Sequence, residues 1–323
     1  MNPHELFVGV DVGGTNIKCG LVTNTGKIII KRTVATEAEG GVSHVLNRIV
    51  RNVHELMDTV KSDMNVLALG VGLPGLVDNN RVILWEAPNL PGWYNVEAKI
   101  KLQDKFNIPV VLDNDANLAA LGEYVYGAGQ GVTEMMMVTL GTGVGGGLIL
   151  RGEVYRGALG SAGEFGHTII QKNGHLCICG RRGCLETYVG KYAILRQVRK
   201  KLESGRSSLL QRISQEIMTP KDVCHAALQG DEVALEVFRE AGEYLGIGLG
   251  NVANLLNIQR VVVGGGLAKA GDLILEPARR ALAYSSFKIA WENIDVVPAM
   301  LGEQAGLIGA ATLAMQKCRS ETT

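Results

Sequence analysis

Three cysteines lie within eight positions of the chain, at Cys177, Cys179 and Cys184. Gly180 and Gly183 stand between them and allow the backbone to turn tightly, so the three thiols can point at one centre. Thiolates at this spacing are typical of a soft metal ion with tetrahedral geometry, and zinc is the ion that fits them best. The segment therefore predicts a zinc site.

A fourth ligand for this metal could come from His167, ten residues before Cys177, or from His175. We favour His167, because His175 lies so close to the thiols that the loop would be strained. Four protein ligands leave no open position for a catalytic water, so the site should be structural. Glu164 and Glu186 flank the ligands, so a metal would hold both carboxylates in place.

A disulfide or a redox pair is the alternative interpretation of these cysteines. A Cys-x-Cys pair is too short to bridge comfortably, and the third thiol would stay unpaired. The spacing therefore favours the metal.

A glycine-rich turn at residues 11–15 follows a short apolar strand. Glycine lets backbone N–H groups approach phosphate oxygens, Thr15 adds a hydroxyl group, and Asp11 could hold hydrated Mg²⁺. Lys18 follows at a distance from which its side chain could reach a phosphate. The same residue types also form ordinary hairpin turns, so this turn alone leaves both interpretations open.

Two further glycine turns have the composition of nucleotide-binding loops. Residues 141–146 have the pattern Gly-x-Gly-x-x-Gly, but an apolar strand rather than a helix follows them, so we reject a Rossmann dinucleotide site. A P-loop pattern does not occur in the sequence. The triple glycine at 264–266 follows a valine-rich strand and could pass beneath an adenine ring, although a plain strand-to-helix turn explains it equally well.

The candidate for acid–base chemistry is Asp115, which follows the predicted strand 108–112. Polar residues at the end of a parallel strand lie where α/β proteins bind ligands. Asp115 could accept the proton of a sugar hydroxyl during phosphoryl transfer. The alternative is that Asp113 or Asp115 only caps the apolar helix that begins at Leu118.

The elements that would position these residues repeat along the chain. An early strand, turn and strand recur after residue 134, with glycine turns at matching offsets. This repeat predicts a duplicated fold in which two domains flank a cleft. The aligned pairs are Asp11 with Thr139, Gly13 with Gly141, and Gly26 with Gly152.

Alternation of strands with helices predicts an α/β architecture. We assign residues 1–115, with a return at about 303–323, to a small domain and residues 116–302 to a large one. The spacing of apolar residues predicts helices over 41–60, 96–106, 191–228, 232–256 and 302–315.

Composition excludes several classes of partner. Lys plus Arg and Asp plus Glu are 32 each, so the formal net charge is zero and no electrostatic footprint for nucleic acid or an anionic membrane is present. The N-terminal residues do not have the pattern of a signal peptide. Cys19, Cys224 and Cys318 are scattered singly, as expected in a reducing cytoplasm.

Taken together, the motifs resemble the ROK family of sugar kinases and sugar-responsive repressors over about residues 5–315. The pattern Cys-x-Cys-Gly-x-x-Gly-Cys-x-Glu is the most specific of them, whereas the glycine turns are not specific. The resemblance implies the actin-like, hexokinase-type fold, which agrees with the duplication. The segments that carry it are 11–15, 114–117, 140–147, 163–167, 177–186 and 264–266.

The resemblance also implies site residues at the matching positions. Those for the sugar are Pro74, Gly75, Asn114, Asp115, Glu164, His167 and Glu186, with Asp115 as the general base. Those for ATP and Mg²⁺ are Asp11, Gly13, Gly14, Thr15, Lys18, Thr139, Gly141, Thr142, Gly143, Gly264, Gly265 and Gly266. Those for a structural Zn²⁺ are His167, Cys177, Cys179 and Cys184.

The activity so implied is ATP-dependent phosphorylation of glucose at its 6-hydroxyl. The alternatives are a kinase for N-acetylmannosamine, N-acetylglucosamine or fructose, or a catalytically silent sugar-binding sensor. Repressors of this family carry an N-terminal helix-turn-helix, and only ten residues precede Asp11, so we do not expect a DNA-binding regulator. The resemblance further suggests a cytoplasmic homodimer.

Overall fold

Apolar runs that end at glycine or at a polar residue form the strands of two five-stranded sheets in the computed structural model, which describes residues 5–75, 77–78 and 90–320. The strands are β1 (Glu5–Val12), β2 (Asn16–Thr23), β3 (Ile28–Ala35), β4 (Asn65–Leu73), β5 (Val110–Asn114), β6 (Met135–Leu140), β7 (Val144–Leu150), β8 (Glu153–Val154), β9 (Arg260–Gly264) and β10 (Asp295–Pro298).

Helices connect these strands. They are α1 (Gly41–Met57), α2 (Ala98–Gln103), α3 (Asp115–Tyr126), α4 (Glu186–Val189), α5 (Lys191–Glu203), α6 (Pro220–Leu228), α7 (Glu232–Leu256), α8 (Asp272–Ser285), α9 (Lys288–Trp291) and α10 (Ala305–Ser320). Short 3-10 turns complete the described chain, among them Phe165–His167 and Gly302–Gln304.

The two sheets have the same order of strands. In the first sheet the order is β3-β2-β1-β4-β5, with β1 antiparallel to β2 and parallel to β4. In the second the order is β10-β9-β6-β7-β8, with β6 parallel to β9 and β9 parallel to β10. Written from its other side, the second order is β8-β7-β6-β9-β10. Each strand then has the position that the strand numbered five lower has in the first sheet. The repeat confirms the predicted duplicated α/β fold.

Strand register aligns the residues that end the parallel strands. In the first sheet Asp11 of β1 pairs with Gly72 of β4, and Gly72 pairs with Asp113 of β5. In the second sheet Thr139 of β6 pairs with Gly264 of β9. The glycine turn at residues 11–15, called the first phosphate turn after its predicted role, and the Asp115 segment therefore leave one edge of the first sheet. The glycine turn at 141–146, called the second phosphate turn on the same ground, and the turn at 264–266 leave one edge of the second.

The chain divides into two compact units. Unit 1 contains the described residues of Met1–Gly131, Gly147–Gly163 and Met300–Thr323. Unit 2 contains Val132–Gly146 and Glu164–Ala299. The sequence placed the first boundary at residue 115, whereas the compact unit 1 continues to Gly131 because α3 packs on α10 and β5.

Unit 1 has a core on each face of the first sheet. One side of α1 buries Val45, Ile49, Val53 and Leu56 against the strands, as its helical spacing predicted. On the other face, α10 packs so closely that glycine is required in the strands beneath it. A Cβ atom on Gly70 would overlap the carbonyl oxygen of Ala310.

The beginning of α10 is held by a buried carboxylate. Glu123 of α3 has no exposed surface, and its two oxygens accept hydrogen bonds from the backbone N–H groups of Ala128, Met300 and Leu301 at 2.9, 3.1 and 2.7 Å. These donors satisfy the buried carboxyl oxygens and fix the chain just before α10 within unit 1.

Unit 2 is built on the pairing of α7 with α8. Gly242 and Gly246 stand four residues apart on α7, and a Cβ atom on either would overlap a carbonyl oxygen of α8. The predicted helix 232–256 is confirmed as α7. On another side of α7, Gly248 lies against the side chains of Phe165 and Leu185, which flank the metal-ligand segment.

The predicted helix 191–228 is wrong, because two helices occupy this range. The first, α5, ends at Glu203, and Gly205 follows with φ +83°, a conformation that glycine adopts readily. The second, α6, begins at Pro220 after the capping residue Thr219. The helix predicted over 96–106 is shorter, and α8 was not among the predicted helices.

Within the described residues, no helix combines the length and the apolar character needed to cross a membrane.

We expect Gly309→Ala to destabilise unit 1. Gly309 lies in α10 against α3, where a Cβ atom would overlap the carbonyl oxygen of Leu118. The backbone of a packed helix cannot move aside as a flexible side chain can, so the free energy of unfolding should fall by about 1–3 kcal/mol. The matched control is Gly266→Ala, because Gly266 has helical dihedral angles and nothing within 4 Å of the added methyl. Urea unfolding midpoints test this; equal midpoints for the two variants would contradict the packing.

Candidate functional site

The first phosphate turn is a β-hairpin held from behind by Thr36. The N–H of Gly13 donates to the carbonyl of Asn16 at 2.9 Å and closes the turn. Thr36 is fully buried; its hydroxyl donates to the carbonyl of Gly13 at 2.6 Å and its N–H to that of Thr15 at 2.8 Å. The turn is therefore fixed while Thr15 stays exposed, as a phosphate ligand requires.

Asp11 is the penultimate residue of β1, at the beginning of this turn. Its carboxylate lies against Gly306 in the first turn of α10, where a Cβ atom would come within 2.8 Å of the Asp11 Cγ. Burial raises the pKa of Asp11, and the Lys18 ammonium, whose Nζ lies 4.0 Å from Oδ2, opposes that rise. Lys18 also donates to the carbonyl oxygen of Glu303 at 3.1 Å. The Asp11 side chain remains 21% exposed, and a carboxylate beside such a turn is suited to a hydrated divalent cation.

The cap of α3 is Asn114 rather than Asp113 or Asp115. Its Oδ1 accepts hydrogen bonds from the N–H groups of Ala116 and Asn117 at 2.8 and 3.1 Å. Its Nδ2 donates to the carbonyl of Gly75 at 2.9 Å, so a second N–H of this amide is available for a ligand. The alternative in which either aspartate caps the helix is therefore not needed.

Asp113 and Asp115 differ in their surroundings. Asp113 is 2% exposed, and its oxygens accept hydrogen bonds from Asn114, Asn117 and Arg156. Asp115 is only partly buried, and its Cα lies 3.7 Å from where a Cβ on Gly72 would be. Because Gly72 pairs with Asp11, Asp115 stands beside the strand end that carries the first phosphate turn. Of the two carboxylates, Asp115 is the one placed to meet a ligand.

Pro74 and Gly75 follow the end of β4 at the same edge. Gly75 has φ +98°, which a residue with a side chain would rarely adopt. Its carbonyl is the acceptor for Asn114, so the loop after β4 and the start of α3 are tied together.

The four predicted metal ligands come together in unit 2. One ligand atom of each residue lies within 4.8 Å of all the others, in the group His167, Cys177, Cys179 and Cys184. The Nδ1 of His167 is 3.6 Å from the Sγ of Cys177, and the Sγ atoms of Cys179 and Cys184 are 3.6 Å apart. A tetrahedron with Zn–S near 2.3 Å and Zn–N near 2.1 Å has edges of about 3.6–3.8 Å. The donor set and its spacing fit zinc.

The ligands do not form disulfides. All six cysteines are free, and 3.6 Å between sulfurs is far beyond the disulfide bond length of about 2.05 Å. His175, the rival ligand, instead packs its ring on Tyr188, with centroids 5.3 Å apart.

Two glycines give the metal-ligand loop its shape. Gly180 and Gly183 have φ +81° and +84°, and the N–H of Cys177 donates to the carbonyl of Arg181 at 2.7 Å across the turn. At Gly183 a Cβ atom would overlap the carbonyl oxygen of Gln171. The glycine positions predicted to turn the loop are confirmed.

The thiols have different acidities without a metal. Burial would raise the pKa of Cys179, but hydrogen bonds from the Arg181 backbone and the neighbouring thiols outweigh it and lower this pKa to about 7. Burial raises the pKa of Cys184 to about 12. A divalent metal would deprotonate both, since a coordinated thiol is held as thiolate.

His167 has one nitrogen for each of two roles. With Nδ1 towards Cys177, its Nε2 lies 4.0 Å from the Oε2 of Glu164. Burial raises the pKa of Glu164; His167 lowers it and Glu186 raises it further. The Glu164 side chain nevertheless remains 49% exposed, so its carboxylate can meet a ligand. The ring orientation of His167 is compatible with binding both metal and sugar.

Glu186 joins the metal-ligand loop to the second phosphate turn. Its Oε2 accepts a hydrogen bond from the N–H of Val144 at 3.0 Å, and its Oε1 lies 3.8 Å from the Sγ of Cys177. A Cβ atom on Gly143 would overlap this carboxylate. The contact with Val144 was not predicted, because Glu186 had been assigned to the sugar alone.

The second phosphate turn rests on α4 and α5. The N–H of Gly141 donates to the carbonyl of Gly143 at 2.9 Å, and the N–H of Lys191 donates to the carbonyl of Gly141 at 3.0 Å. Thr142 is left exposed at the tip, whereas Thr139 is partly buried below it in β6. The turn is thus fixed by its carbonyl oxygens.

The third glycine turn follows β9. Gly265 has φ +90°, and a Cβ atom there would overlap the carbonyl oxygen of Leu140. Gly266 has nothing within 4 Å of a Cβ position, whereas the space beside Gly264 is filled by Met137 and Ala299. Open backbone at Gly266 is compatible with a flat base above it.

Comparison with known proteins gives consistent matches over nearly the whole chain. The model of the ROK family matches residues 7–317. A glucokinase of Halalkalibacterium halodurans is 38% identical over 96% of this chain and 95% of its own length. A xylose repressor of Caldicellulosiruptor bescii is 30% identical over 95% of this chain and 77% of its own length.

A solved structure shares the fold. It is that of a ROK family glucokinase from Streptomyces griseus in complex with glucose and AMPPNP, with a TM-score of 0.83 and 37% identity. The match covers 96% of this chain and 99% of that one.

We expect Cys179→Ser to lose the metal. A serine hydroxyl does not ionise near neutral pH and is a poor zinc ligand, so three donors would remain. Elemental analysis should find about one zinc per chain in the parent protein and almost none in the variant, whose melting temperature should also fall. Cys224→Ser, which changes a single cysteine of α6 outside the cluster, is the control. Equal zinc content in both variants would contradict the site.

We expect Asp11→Asn to stabilise the protein without ligands at pH 8. Because burial raises the pKa of Asp11, the ionised carboxylate is less favourable in the folded than in the unfolded chain. The cost is present above the raised pKa and disappears below the unfolded value of about 3.9. The gain in melting temperature should therefore shrink as pH falls.

Asp104→Asn, at an exposed position after α2, is the control for this experiment. A lower melting temperature for Asp11→Asn than for this control at pH 8 would contradict the desolvation argument.

Proposed function

The chain belongs to the ROK family, and we propose that it is an ATP-dependent glucokinase that forms glucose 6-phosphate. The observation that carries this proposal is the edge of the first sheet, where Asp115 lies beside the end of β1, the strand that contains Asp11 and leads into the first phosphate turn. A base and a phosphate site at one sheet edge are what phosphoryl transfer to a hydroxyl needs.

Positioning and charge neutralisation supply most of the catalysis in phosphoryl transfer. The N–H groups of residues 14–15 and 142–143 would bind phosphate oxygens of ATP, with Thr15, Thr142 and Lys18 adding a hydroxyl or a charge. Asp11 would hold Mg²⁺ through water. When bound with ATP, Mg²⁺ neutralises charge on the phosphates.

Asp115 would accept the proton of the sugar 6-hydroxyl as that oxygen attacks the γ-phosphorus. One carboxylate oxygen already accepts the N–H of Ala116 at 2.8 Å, which restricts the rotation of the side chain. The Asn114 amide, itself fixed by the cap and by Gly75, would donate its remaining N–H to a sugar oxygen. Asp115 and Asn114 therefore both depend on the position of the first turn of α3.

In unit 2, Glu164, the Nε2 of His167 and Glu186 would bind further sugar hydroxyls. Carboxylates are suited to accept hydrogen bonds from vicinal hydroxyls, and the Nε2–H of a histidine whose Nδ1 binds zinc can donate to a hydroxyl oxygen. A structural zinc on His167 and the three thiolates would fix the orientation of His167 and of the chain before Glu186. Zinc would thus be needed for sugar binding although it takes no part in the chemistry.

The proposal also covers the cellular compartment and the oligomeric state. Six free cysteines and a cytosolic substrate, ATP, fit a cytoplasmic enzyme. Exposed apolar side chains on α8 and α9, with Tyr284 at 70% and Ile289 at 80%, are available for the expected homodimer.

The proposal is tested by ADP release from Mg-ATP across a panel of sugars, with zinc content measured in the same preparation. Turnover with glucose supports the glucokinase. Turnover with an N-acetylhexosamine or fructose instead would keep the mechanism and change the substrate. No turnover with any sugar in zinc-containing protein would contradict the proposal and favour a sensor.

We expect Asp115→Asn to lower kcat by roughly 10² or more, because the variant cannot accept the hydroxyl proton. Glucose binding, measured by calorimetry, should be largely kept, since an amide can still hydrogen bond to the hydroxyl. Asp104→Asn, at an exposed position after α2, is the control. Near-normal turnover of Asp115→Asn would refute the assignment of the base.

A further inference from the structure

Arg156 makes an ion pair with the buried Asp113. Its Nε and Nη2 both donate to the Oδ2 of Asp113, at 2.7 and 2.6 Å. The Asp113 side chain is 2% exposed and that of Arg156 is 29% exposed, so the carboxylate is almost completely removed from water. Neither the motifs nor the spacing of the sequence pointed to Arg156.

The other oxygen of Asp113 holds the residues on both sides of Asp115. Its Oδ1 accepts the N–H of Asn114 at 2.7 Å and the Nδ2 of Asn117 at 3.0 Å. Four hydrogen bonds therefore fill the carboxylate, two from Arg156 and two from the start of α3. Asp113 thus transmits the position of the guanidinium to the helix turn that carries Asp115.

Arg156 is itself fixed by the loop that it begins. Its Nη1 donates to the carbonyl of Val154 at 3.2 Å, and its carbonyl oxygen accepts the N–H of Ala162 at 3.1 Å. Within this loop Gly160 lies so close to Val77 that a Cβ atom would overlap the Val77 carbonyl oxygen. These contacts hold the guanidinium and its loop within unit 1.

The energetics favour a role beyond packing. Removing one partner of a buried ion pair leaves the other without compensation and is strongly destabilising. Without the guanidinium, the Asp113 carboxylate would no longer be fixed, and its Oδ1 contacts to Asn114 and Asn117 would weaken. Displacement of a catalytic group by about 1 Å can cost roughly 10² in rate.

We propose that Arg156 is a positioning residue for phosphoryl transfer. Through Asp113 it fixes the start of α3, and with it the carboxylate of Asp115 and the amide of Asn114. The inference rests on the proposed function, because the base that it positions is assigned there. Arg156 also begins the loop that leads to Glu164, so its loss should weaken sugar binding but not the binding of ATP.

The test compares Arg156→Gln with Arg156→Lys in steady-state kinetics. Arg156→Gln should lower kcat by about 10- to 100-fold and raise the KM for glucose, with the KM for ATP within about twofold of the parent value. Arg156→Lys keeps the charge with fewer donors and should recover part of kcat. Arg32→Gln, which breaks an exposed ion pair with Glu55 in the same unit, is the control.

A merely structural role predicts a different pattern. It would lower the melting temperature while kcat per folded protein and both KM values stay at those of Arg32→Gln, and that result would overturn the proposal. An equal increase in the two KM values would overturn it as well. If Arg156→Gln does not fold, Arg156→Lys alone decides. A kcat of Arg156→Lys equal to that of the parent enzyme would contradict the need for the two guanidinium hydrogen bonds to Asp113.

A double-mutant cycle with Asp113→Asn identifies the route. If Arg156 acts through Asp113, the double variant should be no slower than the slower single variant. If the two substitutions instead lower kcat by independent factors that multiply in the double variant, Arg156 does not act through Asp113. Failure of the proposed function is distinguishable, because the parent protein would then show no sugar-dependent ADP release in the same assay.

Discussion

The register of the parallel strands is the constraint on which the candidate site depends. Asp11, Gly72 and Asp113 stand in one row across β1, β4 and β5, so the chain leaves the sheet at the same level in each. The second sheet repeats this with Thr139 and Gly264. Parallel strands end together only when their pairing is fixed, and the glycine turns at 11–15, 141–146 and 264–266 and the Asp115 segment all lie at or beyond such an end. A slip of one residue would turn these groups to the other face.

Glycine makes room for a carboxylate in both units. In unit 1, Asp11 occupies the space beside Gly306, and in unit 2, Glu186 occupies the space beside Gly143. Each carboxylate thereby comes within reach of backbone close to a phosphate turn. The cost is a buried or nearly buried charge, visible in the raised pKa of Asp11. A desolvated carboxylate that lowers the stability of the folded chain is expected at a site that binds a cation or a ligand.

Sequence predicted best what depends on residue type and short spacing. The metal ligands, the turns at Gly180 and Gly183, the helix α7 and the duplication followed from local patterns. The interruption between α5 and α6 was missed because helical spacing continues through Gly205. Contacts between distant segments could not be predicted: Arg156 meets Asp113, and Glu186 meets Val144, only because the fold brings separate elements together. No local pattern encodes such a partner.

Phosphoryl transfer to the sugar is tested most directly by ³¹P NMR of the product formed from ATP and glucose by the zinc-containing protein. Transfer to the 6-hydroxyl predicts a phosphomonoester signal split by the two protons on C6, appearing together with ADP. Release of inorganic phosphate alone would show that water, not the sugar, accepts the phosphoryl group. That result, or a phosphorylated position other than C6, would contradict the assignment of Asp115 and of the residues that hold it.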